Sequence, residues 1–182
     1  PITDSNFQTA VNLWFDNQSE ANATYGHISD WNVSGVTNMS QAFKDRTTFN
    51  EDISGWNVSA VINANKMFCD ATSFNQPIGD WNTSSFNDMG SMFRNATSFN
   101  QDISGWDLSS VVQMPNLFSG ATSFNQDISD WNISSVSNMS DFFLNATNLT
   151  NTHKGRIHKA FSSNPNWSYD WSAFVTYEPI TD

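Results

Sequence analysis

The chain has 182 residues, 18 acidic and 7 basic side chains, a formal net charge of −11 and a single cysteine, Cys69. Lys and Arg form no stripe, which argues against a nucleic-acid partner, and one cysteine leaves the fold owing nothing to disulfides. Apolar residues are only 38%, yet aromatics reach 14% through 15 Phe and 8 Trp that recur at fixed positions, so the expectation is an ordered core of few, large side chains.

In chain order, Asp4 or Ser5 reads as a helix N-cap, with Ala10, Val11, Trp14 and Phe15 on one face of a cap helix over residues 5–18. The chain opens at Pro1 without Met and shows no signal peptide or membrane span, which suggests an excised piece. Residues 1–25 are read as an N-terminal cap, 26–150 as five repeats, and 151–182 as a C-terminal cap and linker.

Five tryptophans set the repeat: Trp31, Trp56, Trp81, Trp106 and Trp131 stand 25 residues apart. A fixed period of this length marks units that bury their core only against their neighbours. Ile28 and its equivalents precede the Trp column by three, and Val33, Val58, Thr83, Leu108 and Ile133 follow it by two. Trp and Val at spacing two predict a short strand. Met39 and Phe43 at spacing four predict a helical turn, capped by Thr37 or Ser40. The fold class expected is an α/β repeat solenoid, leucine-rich-repeat-like, with five coils stacking their strands into a parallel sheet between helical or irregular caps. Cys69 shares a column with Lys44, Arg94, Ser119 and Leu144, so it is expected at the surface.

At the C-terminal end Lys154–Phe161 is helix-like, and Asn164-Pro165 breaks it before Trp167, Tyr169, Trp171 and Phe174 seal the last coil. Lys154, Arg156 and Lys159 could bind an anion, with a solvated helix face the favoured reading. Pro1-Ile2-Thr3-Asp4 recurs as Pro179-Ile180-Thr181-Asp182, which suggests domains in tandem.

The pattern Ile-x-x-Trp-x-Val-x-x-Val, with the returning Met-Ser-x-x-Phe and Ala-Thr-Ser-Phe-Asn-Gln, resembles the BspA-type leucine-rich-repeat surface proteins of bacteria. Ile and aromatics stand where the common repeat has Leu. The resemblance covers residues 26–150 by repeat. It implies a curved solenoid displayed extracellularly or on a cell surface, used for adhesion or recognition, and it supplies no catalytic residues.

The residue between the inward Trp and Val is Asn32, Asn57, Asn82, Asp107 or Asn132, and strand alternation points it outward. Such a row could bind sugar hydroxyls or peptide backbone; stacked amides that merely stabilise the sheet are an equal reading. A second column, Asn50, Asn75, Asn100 and Asn125, reads as an internal ladder that satisfies a buried turn. The Thr47 column raises ice binding only weakly, because the adjoining column is mixed. Asp52, Asp102 and Asp127 share a column that calcium could bridge, but Pro77 interrupts it, and solvated acids are the favoured reading. No cofactor is otherwise implied. Sequons such as Asn32-Val33-Ser34 follow from the Asn/Ser-rich repeat.

No phosphate loop, nucleophile elbow or zinc-protease motif occurs, and His153 and His158 are not spaced as a helical metal pair. The expected function is a non-enzymatic surface adhesion module that recognises glycan or protein along the strand face, without membrane insertion by this segment. The alternative is a structural spacer or a self-associating subunit of a filament or surface layer. A glycan-degrading enzyme ranks third.

Overall fold

A computed structural model of the protein describes residues 2–176. Helix α1 (Phe7–Asp16) buries Phe7, Ala10, Val11 and Trp14 against the first coil. It begins two residues later than the sequence predicts, because Asn6 precedes it and Asp4 is used elsewhere. Asn17, whose side chain accepts the Glu20 N–H at 3.2 Å, starts α2 (Gln18–Tyr25), which Gly26 ends at φ 80°. Helix α3 (Asn151–Phe161), capped by Thr150, buries Gly155, Ile157 and Phe161 at the other end. It starts a turn earlier than Lys154. The duplicated tetrapeptide's second copy lies outside the described residues.

Between the helices the 25-residue units stack as coils. The five Ile of the repeat are fully buried and the five Trp are 3–4% exposed. Each Trp beyond the first donates its indole N–H to the Ile carbonyl of the coil before: Trp56 to Ile28 at 2.9 Å, Trp106 to Ile78 at 3.0 Å, Trp131 to Ile103 at 3.0 Å. Flat rings fill the axis: Phe43, Phe68, Phe93, Phe118 and Phe143 stack with centroids 5.5–5.7 Å apart. Within a coil, Phe68 lies on Phe74 at 3.9 Å and Phe93 on Phe99 at 4.0 Å. Each coil thus covers the apolar face its neighbour exposes, which is why the column residues must recur.

The expected α/β class, with parallel-sheet strands, is wrong. Among the described residues there are three α-helices, two 3-10 turns and no β-strand. Parallel pairing shrinks to isolated bridges, Asn38 to Asn63, Asp88, Gln113 and Asn138 in turn. Two local causes break the strand. Asn32 folds back on Ser34, its Oδ1 accepting the Ser34 N–H at 3.1 Å, and Asn57 and Asn82 do the same to Ser59 and Ser84. Two residues later a tight turn follows, Val36 N–H to Val33 O at 2.9 Å and Val61 N–H to Val58 O at 2.9 Å. Asn and Ser side chains compete for backbone groups in this way, and alternation cannot outvote them.

The expected helical turn fails as well. Gln41, Lys66, Ser91, Asn116 and Asp141 lie at φ 53–61°, and Asp45, Asp70, Asn95 and Asn145 at φ 55–62°, with Gly120 at φ 71° in the same column. A left-handed residue stops a right-handed helix. The alternating backbone instead aligns its peptides along the stack. Met39, Gln41, Phe43 and Asp45 donate to the carbonyls of Asn63, Asn65, Met67 and Cys69 at 2.8–2.9 Å, while Ala42, Lys44 and Arg46 close turns within their own coil. Ser40, expected as a cap, donates its N–H to Asn38 Oδ1 at 3.0 Å.

Candidate functional site

The predicted row survives on the surface in a different setting. Asn32, Asn57, Asn82, Asp107 and Asn132 are all exposed, each flanked by buried residues of the Trp and Val columns. Their oxygens are committed to the turn. Beyond the backbone bonds, the hydroxyls of Ser34, Ser59 and Ser84 donate to Oδ1 of Asn32, Asn57 and Asn82 at 2.7 Å, and Asp107 and Asn132 accept the N–H of Ser109 and Ser134 at 2.9 and 3.1 Å. These bonds, the Ser109 hydroxyl foremost, hold the Asp107 carboxyl below the usual range. The side chains do not bond to one another, so they form no stacked-amide ladder. Each Asn instead offers an Nδ2 donor from a fixed turn.

The ladder lies in the next polar column. Asn75, Asn100 and Asn125 donate their N–H to Oδ1 of Asn50, Asn75 and Asn100 at 2.8–2.9 Å, and Gln76, Gln101 and Gln126 add amide bonds to the Asn50, Asn75 and Asn100 carbonyls. This column is structural. So is the Thr column, where the Thr72 and Thr97 hydroxyls donate to the Thr47 and Thr72 carbonyls at 3.1 and 3.3 Å.

The calcium candidates do not come together. Asp52 and Asp102 accept the N–H of Ser54 and Ser104, and Asp127 accepts that of Ser129 while pairing with Arg156 at 2.9 Å. Among the described residues no group of three or more His, Cys, Asp or Glu could hold a metal ion. Of the cationic cluster, Arg156 faces Asp127 and Lys154 lies over the rings of Trp171 and Phe174, while Arg156 and Lys159 line one open hollow with Gly155, Val175 and Thr176. Cys69 is buried, not exposed as expected. Burial, with its bond to Asp70 Oδ2 at 3.0 Å, pushes the thiol up to about 12, which leaves no nucleophile at neutral pH. Among the described residues no helix is long and apolar enough to cross a membrane.

Sequence reasoning places Tyr169 at the last coil but misses the end-finishing roles of Asp4 and Asn164. Asp4 reaches Thr37 and Asn38. Buried Asn164 donates Nδ2 to the carbonyls of Ile133 and Val136 at 2.8 and 3.0 Å, and the Tyr169 hydroxyl accepts the Phe143 N–H at 2.8 Å. Each places a side chain where the stack stops, and only the lack of a further repeat signals the need for one.

The family model described as "Mycoplasma protein of unknown function, DUF285" matches residues 5–96 and again residues 78–163. The chain belongs to this family. The two DUF285 matches overlap within the third coil, as expected when one model meets a tandem array of similar units. No curated protein and no solved structure matches the chain.

Proposed function

We propose that this DUF285 chain is a non-enzymatic binding module, displayed outside the cell or on its surface, that recognises glycan or protein along the row Asn32, Asn57, Asn82, Asp107 and Asn132. The observation that carries this reading is the fixed orientation of the row. Each Oδ1 is locked by the residue two positions on, so the exposed amide groups are presented at coil-to-coil intervals with little rotamer freedom left to lose. Carbonyl and hydroxyl oxygens of a sugar or peptide are the groups such donors fit. The likeness of the repeat to BspA-type surface proteins supports the setting.

The test separates donor from turn. An Asn57→Asp, Asn82→Asp, Asn132→Asp variant keeps every Oδ1 acceptor, as Asp107 already does, and removes the amide N–H groups. The purified domain and the variant are passed over a mixed glycan and protein panel, beside an Asn57→Ala, Asn82→Ala, Asp107→Ala variant. Specific capture by the wild type, lost in both variants while both stay folded, is the expected result. A folded wild type that captures nothing shifts the reading to a structural spacer or a subunit of a surface layer.

A further inference from the structure

The Asn row changes character in its last coil. In coils one to three the Ser34, Ser59 and Ser84 hydroxyls close onto the Asn oxygen at 2.7 Å. In coil five Ser134 donates only its backbone N–H to Asn132, and its hydroxyl meets no described partner. Beside it the C-terminal cap docks, with Asn164 donating to the Ile133 and Val136 carbonyls, so the chain after α3 is pinned against coil five. Coil and cap leave a hollow of about 320 Å³ between them. Coil five lines it with Asn132, Ile133 and Ser134, and the cap lines it with Ala160, Ser163 and Pro165. The Ser163 hydroxyl has no described partner, and neither does the carbonyl of Ala160 in the last turn of α3. No ionisable side chain lines this hollow; Lys159 faces the separate one beside Gly155.

We propose that this hollow is a sugar subsite, which takes the terminal unit of an uncharged glycan whose chain lies along the row from Asn57 to Asn132. The proposal rests on the row being the binding face and names the class of its ligand. A sugar ring carries several hydroxyls, each donor and acceptor at once, on a skeleton of C–H groups. The hollow offers the matching set: the Asn132 Nδ2 donor, two serine hydroxyls that turn either way, and the Ala160 carbonyl as acceptor. Ile133 and Pro165 give the C–H groups apolar cover. Its volume lies at the low end of small-ligand pockets, which run from about 300 to 1,000 Å³, and leaves room for a sugar ring. Charge disfavours acidic sugars. The chain carries a net −11, and the exposed carboxylates of Asp107, one coil before, and Asp130, two residues before, flank Asn132. The end of the glycan is read because the row stops here: the cap pinned by Asn164 stands beyond coil five.

The test titrates the purified protein with neutral oligosaccharides ending in glucose, galactose, mannose or N-acetylglucosamine, and with acidic ones ending in glucuronic acid. Binding is read by calorimetry and by backbone amide shifts. Wild type is expected to bind at least one neutral chain, to move the Ser134 and Ser163 amides, and to discriminate by the terminal unit. Ser134→Ala with Ser163→Ala removes both hydroxyls and keeps the N–H bond to Asn132; it should weaken binding about tenfold, as the loss of one or two hydrogen bonds does. Ser163→Trp, which fills the hollow from an exposed position, should abolish the discrimination, and the conservative serine pair decides the matter where it unfolds the cap. An Asn57→Asp, Asn82→Asp variant, remote from the hollow, separates this proposal from the reading it rests on. If that variant loses binding while the serine pair binds as wild type and the Ser134 and Ser163 shifts stay fixed, the row binds and the end subsite is overturned. Tighter binding of the acidic chains, or capture of protein alone, overturns it as well. Wild type that binds no sugar at roughly millimolar concentration, and captures no protein, overturns both.

Discussion

Asp4 Oδ1 accepts the backbone N–H of Thr37 at 2.8 Å, and Oδ2 accepts the Thr37 hydroxyl at 2.7 Å. The same Oδ1 takes the Asn38 N–H at 3.1 Å. Inside the stack two successive N–H groups converge in this way on one carbonyl, Ile62 and Asn63 on Thr37 O, Asn87 and Asp88 on Ile62 O. The carboxylate therefore imitates the carbonyl of a coil that does not exist.

That imitation makes the first coil acid-sensitive. The Thr37 hydroxyl above all, with the two N–H groups, lowers the Asp4 pKa against the opposing effect of burial. A depressed carboxyl stabilises the fold above its unfolded value and loses that contribution as pH falls through the folded one. Asp4→Ala is expected to cost about 1 kcal/mol at pH 7, as lost caps do. Between pH 7 and roughly pH 3, Asp4→Asn should lose less stability than wild type in urea unfolding. Equal losses would remove Asp4 from the capping role.

Trp81 tests the core. It is 4% exposed, stacks on Trp106 with centroids 6.5 Å apart, and donates to Ile53 O at 3.3 Å. Replacement by Ala should cost roughly 3–5 kcal/mol and uncouple the coils on either side. Trp81→Phe, which keeps a ring but leaves the Ile53 carbonyl unmet, should fall well short of that loss. Amide exchange read coil by coil distinguishes uncoupling from uniform loss.

The internal ladder predicts an asymmetry between isosteres. Asn100 Oδ1 accepts from the Asn125 backbone at 2.8 Å and from Gln126 Nε2 at 2.9 Å. Asn100→Leu strands the Asn125 N–H and leaves Gln126 Nε2 only the Asn100 backbone carbonyl, and should cost about 1–3 kcal/mol. Asn100→Asp keeps the acceptor and should cost less at neutral pH. Similar midpoints for the two variants would show that the oxygen is not what the column supplies.

The repeat and its buried columns were legible because large side chains must recur where coils stack: Ile53, Trp56, Phe68 and Phe74 are buried as the 25-residue register demands. The backbone between them was not. Alternation of Trp56, Asn57 and Val58 looks like a strand until Asn57 is read together with Ser59, an Asn-x-Ser pair that closes a turn on itself. The spacing of Met39 and Phe43 looks helical until the column Asp45, Asp70, Asn95, Gly120, Asn145 is noticed. Asp, Asn and Gly are the residues that tolerate a left-handed backbone, and five in register were a signal of one. The other left-handed column, Gln41, Lys66, Ser91, Asn116 and Asp141, carries no such signature as a whole. Cys69 was misplaced because its column mixes buried and exposed positions, with Arg94 exposed, Ser119 at 7% and Leu144 at 46% exposure.

That second column holds non-glycine residues where L side chains are strained, and Ser91 is the clearest case. It sits at φ 56° with its N–H on Pro115 O at 2.8 Å. The left-handed region costs an L-residue roughly 1–2 kcal/mol, while glycine's extra freedom in the unfolded chain costs roughly 0.5–1 kcal/mol. Ser91→Gly is therefore expected to be neutral or stabilising by up to about 1 kcal/mol. Ser98, exposed and outside the left-handed region, is the control: Ser98→Gly should lose about 0.5–1 kcal/mol. Ser91→Val adds a β-branch where it fits worst and should destabilise most. Urea midpoints order the three, and a Ser91→Gly loss equal to that of Ser98→Gly would mean the turn does not hold the backbone left-handed in solution.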